Sequence, residues 1–192
     1  MENTDIVVAV DLEMNQPSGK IIEVGYTIGN KFTGQVLVSK GIIVKIDELL
    51  NRTNPDIVKL TSITDEMVQA GRTLQSAYEE LTADCHSLGA HRQPVEWGGG
   101  DIRTLRQQIW EIDKNILANN WSFGYTTMNI KNIVQGILNA KKLKTQGGLA
   151  RSLGKFGLSF KGTKHRAIDD SLNTFLLYVE LLKRLEPIQV KG

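Results

Sequence analysis

Ile6-Val7-Val8-Ala9-Val10-Asp11-Leu12-Glu13 is the stretch on which the reading of this chain turns. Five apolar residues, four of them β-branched, predict a buried central strand. The run ends in two carboxylates separated by one residue. Side chains at i and i+2 share a face of a strand, so Asp11 and Glu13 project side by side. Two like charges at the end of a buried strand repel and lose hydration unless a cation compensates them. The pair is therefore either half of a metal site or a strand running out into the polar turn Met14-Asn15-Gln16-Pro17.

Outward from that strand, Lys20–Ile28 and Val36–Ile46 are two more β-branched runs. Their short connections predict an antiparallel meander of three strands. Glu23, in an otherwise apolar run, is expected to point outward, although it can approach the first strand's acids. Short helical turns follow from Pro55 to Gly71, with Thr64 as a cap, and then an amphipathic helix over Leu74–Leu88. Pro94–Trp97 reads as a short strand ending at Gly98-Gly99-Gly100, with Asp101 expected as N-cap of a helix from Ile102 to about Leu117. Trp121–Tyr125 is a further possible strand, its aromatic residues assigned to core packing. Helices are predicted over Ile130–Leu143, Leu149–Phe156 and Arg166–Leu185. The element order is that of a mixed α/β domain whose sheet is covered by helices.

At 192 residues and 21.4 kDa, the chain fits one domain, taken as residues 1–192. No run approaches the ~18 apolar residues of a membrane span, and the acidic start Met1–Asp5 is unlike a signal peptide. Cys85 is the only cysteine and is expected as a small core residue, which points to a reducing, cytoplasmic setting. The net charge of +2 conceals an asymmetry. Residues 114–168 carry ten basic side chains and no acid, leaving 13 basic and 21 acidic residues elsewhere. A one-signed block of this length suggests a surface facing a polyanion; a merely solvated face is the alternative.

The segment Gly162-Thr163-Lys164-His165-Arg166-Ala167-Ile168-Asp169-Asp170 carries the chemistry. Were His165 helical, Asp169 at i+4 would share its face. With His165 on the loop before the helix, either acid can serve, and the residues alone leave both open. Acids near a positive helix start are the plainer alternative.

Taken together, Asp11-x-Glu13, Asp101 and His165-x-Ala167-x-x-Asp170 resemble the DEDDh family of 3′-to-5′ exonucleases. Ile22–Gly25, Leu60–Val68 and Trp97–Asp101 add to the likeness, which spans residues 6 to about 182 and is strongest with the branch that trims structured and small RNAs. The resemblance implies an RNase H-like fold, a mixed central sheet with three antiparallel N-terminal strands and flanking helices. It implies that Asp11, Glu13, Asp101 and Asp170 bind two Mg2+ or Mn2+ ions, with His165 as general base, and it selects Asp170 over Asp169. Hard cations suit carboxylate oxygens, and a pair roughly 4 Å apart offsets the phosphodiester's charge. A histidine titrates near neutrality and can take a proton from water.

The expected activity is metal-dependent release of nucleoside 5′-monophosphates from single-stranded 3′ ends, RNA more than DNA. Leu12 and Met14 beside the first acids, and Lys161, Lys164 and Arg166 of the basic block, are the expected nucleic-acid contacts, although Leu12 also reads as core. A DNA proofreading or repair exonuclease of the same family and a non-cleaving nucleic-acid-binding scaffold are the competing readings.

Overall fold

The computed structural model describes residues 5–46, 53–116, 121–124, 126–144 and 147–185. Strand β1 (Ile6–Met14) lies at the centre of a five-stranded sheet with β2 (Ile21–Asn30) and β3 (Val36–Ile43) on one side. On its other side lie two very short strands, β4 (Val95–Glu96) and β5 (Met128–Asn129). The order is β3-β2-β1-β4-β5; the first three strands are antiparallel, while β4 and β5 run parallel to β1.

Alternation along β1 sorts its side chains between two cores. Val8, Val10 and Leu12 pack against α3 (Leu74–Leu88) and α4 (Asp101–Ile112), meeting Tyr78, Leu81, Leu105 and Ile109. Cys85 is buried in this layer, and burial pushes its thiol up to about 12. Val7 and Ala9 face α5 (Ile130–Ala140), α6 (Leu149–Lys155) and α7 (Ala167–Lys183), through Val134, Leu153 and Phe175. Each fully buried side chain of this size contributes ~1.5–3 kcal/mol. Asp11 and Glu13 continue the odd-numbered row, so they emerge on the face covered by α7. Two short helices, α1 (Pro55–Thr61) and α2 (Asp65–Gln69), stand before α3, and Thr64 caps α2 by accepting from the Met67 amide at 3.3 Å. Among the described residues no helix is long and apolar enough to cross a membrane.

The structure departs from the sequence reading at several places. The third strand stops at Ile43 rather than Ile46; Val44 still donates to the Ile22 carbonyl at 2.9 Å and also forms an isolated bridge with Arg72. The helices begin or end a few residues away from the expected limits: α4 at Ile112, with residues 114–116 helical again and Leu117 outside the described residues, α5 at Ala140 and α7 at Ala167 and Lys183. The last strand forms at Met128–Asn129, not within 121–125. Residues 121–124 are not strand, and Tyr125 lies outside the described residues. The aromatic run is packing instead: Trp121 stacks on Tyr78 with ring centroids 5.5 Å apart, and Phe123 meets its edge at 5.4 Å.

Glu23 is the main correction. It does not point outward but is fully buried beneath the start of α7. The α7 side of β2 presents Glu23, Gly25, Thr27 and Gly29, a row small enough for a helix to lie directly on the backbone. A Cβ on Gly25 would stand 2.0 Å from the carbonyl carbon of Ala167. Thr27 and Ser171 hydroxyls meet at 3.2 Å one turn further along.

Gly25→Ala must therefore push α7 off the sheet. It is expected to lower stability by at least about 1–3 kcal/mol, as overpacking does. Gly136→Ala, inside α5 with nothing within 4 Å of the added methyl, should instead raise it by roughly 0.5–1 kcal/mol. Thermal denaturation of the two variants checks the opposite signs.

Candidate active site

Three separate parts of the chain converge at the C-terminal end of β1. Asp11 and Glu13 come from the strand itself. His165 sits just before α7 in a left-handed backbone conformation, φ 62°, so it is not helical. Its amide donates to Asp170 Oδ2 at 3.0 Å, while the Asp170 amide donates to the Arg166 carbonyl at 2.8 Å. The turn thereby brings His165 and Asp170 to one place: a carboxylate oxygen of Glu13, a ring nitrogen of His165 and a carboxylate oxygen of Asp170 all lie within 4.8 Å of one another. Asp169 turns away, its carboxylate accepting from the Thr163 amide at 2.8 Å.

Asp101 approaches from α4. It is the first helical residue rather than the N-cap, a position taken by Gly100 at φ 121° with no side chain to offer. The capping role expected of Asp101 falls to Glu96, which is 2% exposed at the end of β4. Its two oxygens accept from the Gly100 and Ile102 amides, both at 3.2 Å, and the Thr127 hydroxyl donates to it as well. The α4 start is thus held from the sheet, leaving the Asp101 side chain unspent on its own helix.

The electrostatics tie these acids into one cluster. Burial raises Asp11 well above the usual carboxylate range, and the charges of Asp101, Asp170 and Glu13 raise it further. Glu13 is pushed up to about 8 by burial and then by Asp170, Glu23 and Asp101, with Arg166 offsetting part of this. Burial and then Glu96 push Asp101 to about 7, and burial raises Asp170 although the His165 amide works against it. Crowded, half-dry carboxylates whose donor atoms are oxygens, with one imidazole beside them, fit hard divalent cations such as Mg2+ or Mn2+.

The cluster opens into a cleft of ≈ 650 Å³ that Asp11, Leu12, Glu13, His165 and Asp170 help to line. Lys164 and Arg151 bring positive charge to it, and Trp97 and Phe160 bring aromatic surface. Of the expected nucleic-acid contacts, Leu12 and Lys164 border this cleft, whereas Met14 and Lys161 do not. Arg166 is engaged elsewhere, by Glu23 at 2.9 and 3.1 Å. The sequence reading overlooked Glu96, Trp97, Arg151 and Phe160 as site neighbours. For Glu96 a signal existed, an acid inside a short apolar strand just ahead of three glycines.

A helix-flanked mixed sheet with an acid cluster at the end of its central strand defines a nuclease of the RNase H-like class. The exonuclease family RNase_T matches residues 8–178, and the chain belongs to it. A probable 3′-5′ exonuclease, KapD, from Bacillus subtilis (strain 168) is 24% identical over 190 residues, covering 91% of this chain and 83% of its own. Among solved structures, the nuclease domain of 3′hExo, a DEDDh family member, bound to rAMP, superposes with a TM-score of 0.71 at 19% identity. The match covers 94% of this chain and 92% of that one. Cell-death related nuclease 4 gives 0.76 at 18% identity, covering 94% and 64%.

The raised carboxylates have a consequence for stability. Folded Glu13 keeps its proton to about pH 8, whereas in the unfolded chain it releases it near 4.5. The folded state therefore binds more protons across that interval, so stability falls as pH rises through it and levels off above. In chelator, the melting temperature should fall from pH 4.5 towards 8, while Glu13→Gln flattens the decline and added Mg2+ at the upper end reverses it. A melting temperature in chelator that is the same for wild type and Glu13→Gln at every pH would rule the account out.

Proposed function

We propose that residues 1–192 work as one metal-dependent 3′-to-5′ exonuclease domain. It releases nucleoside 5′-monophosphates from single-stranded 3′ ends, RNA in preference to DNA, in the cytoplasm. The observation that carries this reading is the convergence of Glu13, His165 and Asp170 within 4.8 Å at the end of a strand that also presents Asp11. The rAMP bound by the 3′hExo nuclease domain supports the preference for RNA.

In the proposed reaction a water oxygen attacks the terminal phosphodiester. A new O–P bond forms, the P–O3′ bond breaks, and the leaving 3′ oxygen takes a proton from solvent water to become the hydroxyl of the shortened strand. An imidazole nitrogen of His165 takes the water's proton, and the left-handed turn holds that ring at the cleft beside Glu13 and Asp170. Asp11, Glu13, Asp101 and Asp170 would hold two Mg2+ or Mn2+ ions, which would supply countercharge to the phosphate. Lys164 and Arg151 attract the backbone phosphates, an interaction that weakens with salt. Leu12 is 6% exposed and belongs to the core, yet its edge borders the cleft where the terminal nucleotide rests.

Single-stranded RNA and DNA labelled at either end, incubated with Mg2+, Mn2+ or chelator, test the reading. Laddering from the 3′ end is expected with metal, faster on RNA, and absent in chelator and in Asp11→Asn. Faster cleavage of DNA would favour the repair alternative, and binding without cleavage under every condition the scaffold. His165→Ala should lower kcat by roughly 10²–10⁴-fold, the range a general base contributes. Asp169→Asn should stay active, while Asp170→Asn is inactive; the reverse pattern would transfer the ligand role to Asp169.

A further inference from the structure

Glu23 and Arg166 form an ion pair that no step of the proposed reaction uses. Glu23 has no exposed surface, and across the β1–β2 ladder it is the register partner of Glu13. Arg166 grips it with two bonds, Nε to Oε2 at 3.1 Å and Nη2 to Oε1 at 2.9 Å, and the Ala167 amide donates to Oε2 at 2.8 Å. The seat is tight, since a Cβ on Gly41 would come within 2.8 Å of Oε1. Arg166 stands between His165 and the first turn of α7, which carries Asp170. One contact therefore fixes the base and the last acid together. The fork also sets a cation beside the acid cluster, where it partly offsets the crowding at Glu13.

We propose that Glu23 and Arg166 are a positioning pair for the exonuclease reaction, an inference that rests on the function proposed above. Glu23 holds Arg166, and through it the 165–170 turn, in the geometry that turnover requires. Arg166 consequently serves the chemistry and not the binding of substrate phosphates, unlike Lys164, whose side chain borders the cleft. Removing one partner leaves a buried charge uncompensated; removing both does not.

The test compares wild type, Glu23→Gln, Arg166→Met, the double variant and Lys164→Met. The measurements are kcat and KM on single-stranded RNA with Mg2+, RNA affinity in chelator, and melting temperature. Arg166→Met and Glu23→Gln should each lower kcat by roughly 10²-fold, as small misplacements of reacting groups do. KM and the affinity in chelator should stay within about twofold of wild type, far below the change expected from a lost phosphate contact. The double variant should recover part of both kcat and melting temperature. Lys164→Met should do the opposite, raising KM and weakening affinity with a shallower salt dependence.

Should Arg166→Met lose its cooperative transition, Arg166→Lys carries the comparison, because lysine keeps the charge but not the two-pronged fork. Raised KM and weakened chelator affinity in Arg166→Met, with kcat retained, would make Arg166 a phosphate contact and overturn the pairing. A lower melting temperature with kcat and KM of the folded fraction unchanged would overturn it too, as would a double variant no better than the worse single one. A wild-type protein that cleaves nothing from a 3′ end defeats the functional reading instead, and the unmodified control tells the two failures apart.

Discussion

Like charges crowded at the end of a buried strand are the constraint around which this fold is arranged. Asp11 and Glu13 share a face because a strand's period is two, and Asp101 and Asp170 add their charge from helices that begin 90 and more residues later. None of the four has much water to dissipate the repulsion, which is why their proton affinities rise together. A core designed for stability alone would put apolar side chains there. Under the proposed function the repulsion is the counterpart of cation binding, a trade of stability for function.

Holding mutually repelling groups in place requires anchors outside the cluster, and the structure uses the same device twice. A buried glutamate on the sheet accepts amide hydrogens at the start of a helix whose first turn carries a site acid. Glu96 does this for α4 and Asp101; Glu23 does it for α7 and Asp170. Each glutamate satisfies helix-start donors that would otherwise need a local cap, and neither α4 nor α7 has a side-chain cap of its own. The helix starts are thereby referenced to strands β4 and β2, neighbours of β1, so the acids from helices and strand share one frame.

How much of this was readable in the sequence depends on the range of the interaction. The three long strands were legible because β-branched runs and alternation are local signals, and the acids of β1 followed from period two alone. The two-residue strands were not, since neither is long enough to show a period; the aromatic run near Trp121 looked more strand-like than Met128–Asn129. Glu23 was misread because polarity in an apolar strand suggests an outward face, while its partner Arg166 lies 143 residues away. Asp101 looked like a cap because nothing local showed that Glu96 already satisfied the helix start. For His165 and the choice between Asp169 and Asp170, spacing alone was silent. What spacing could not give is the left-handed turn at His165, uncommon for a residue other than glycine, which places Asp170 beside it.

The basic block shows the same limit from the other side. Ten cations between residues 114 and 168 describe a long-range attraction for polyanions, which depends on net charge and little on where each side chain points. Close to the substrate the count dissolves into individuals. Arg166 is occupied by Glu23, Lys155 reaches the Lys144 carbonyl, and Lys114 lies 4.7 Å from the Trp110 ring centroid. Lys164 and Arg151 are the members that border the cleft. Steering and gripping are therefore separate tasks within one charged stretch, and Arg166, one of the two cations that flank the histidine in sequence, is bonded to Glu23. Its charge is turned inward, where it lets a fifth carboxylate sit beside four others and tie the 165–170 turn to the sheet.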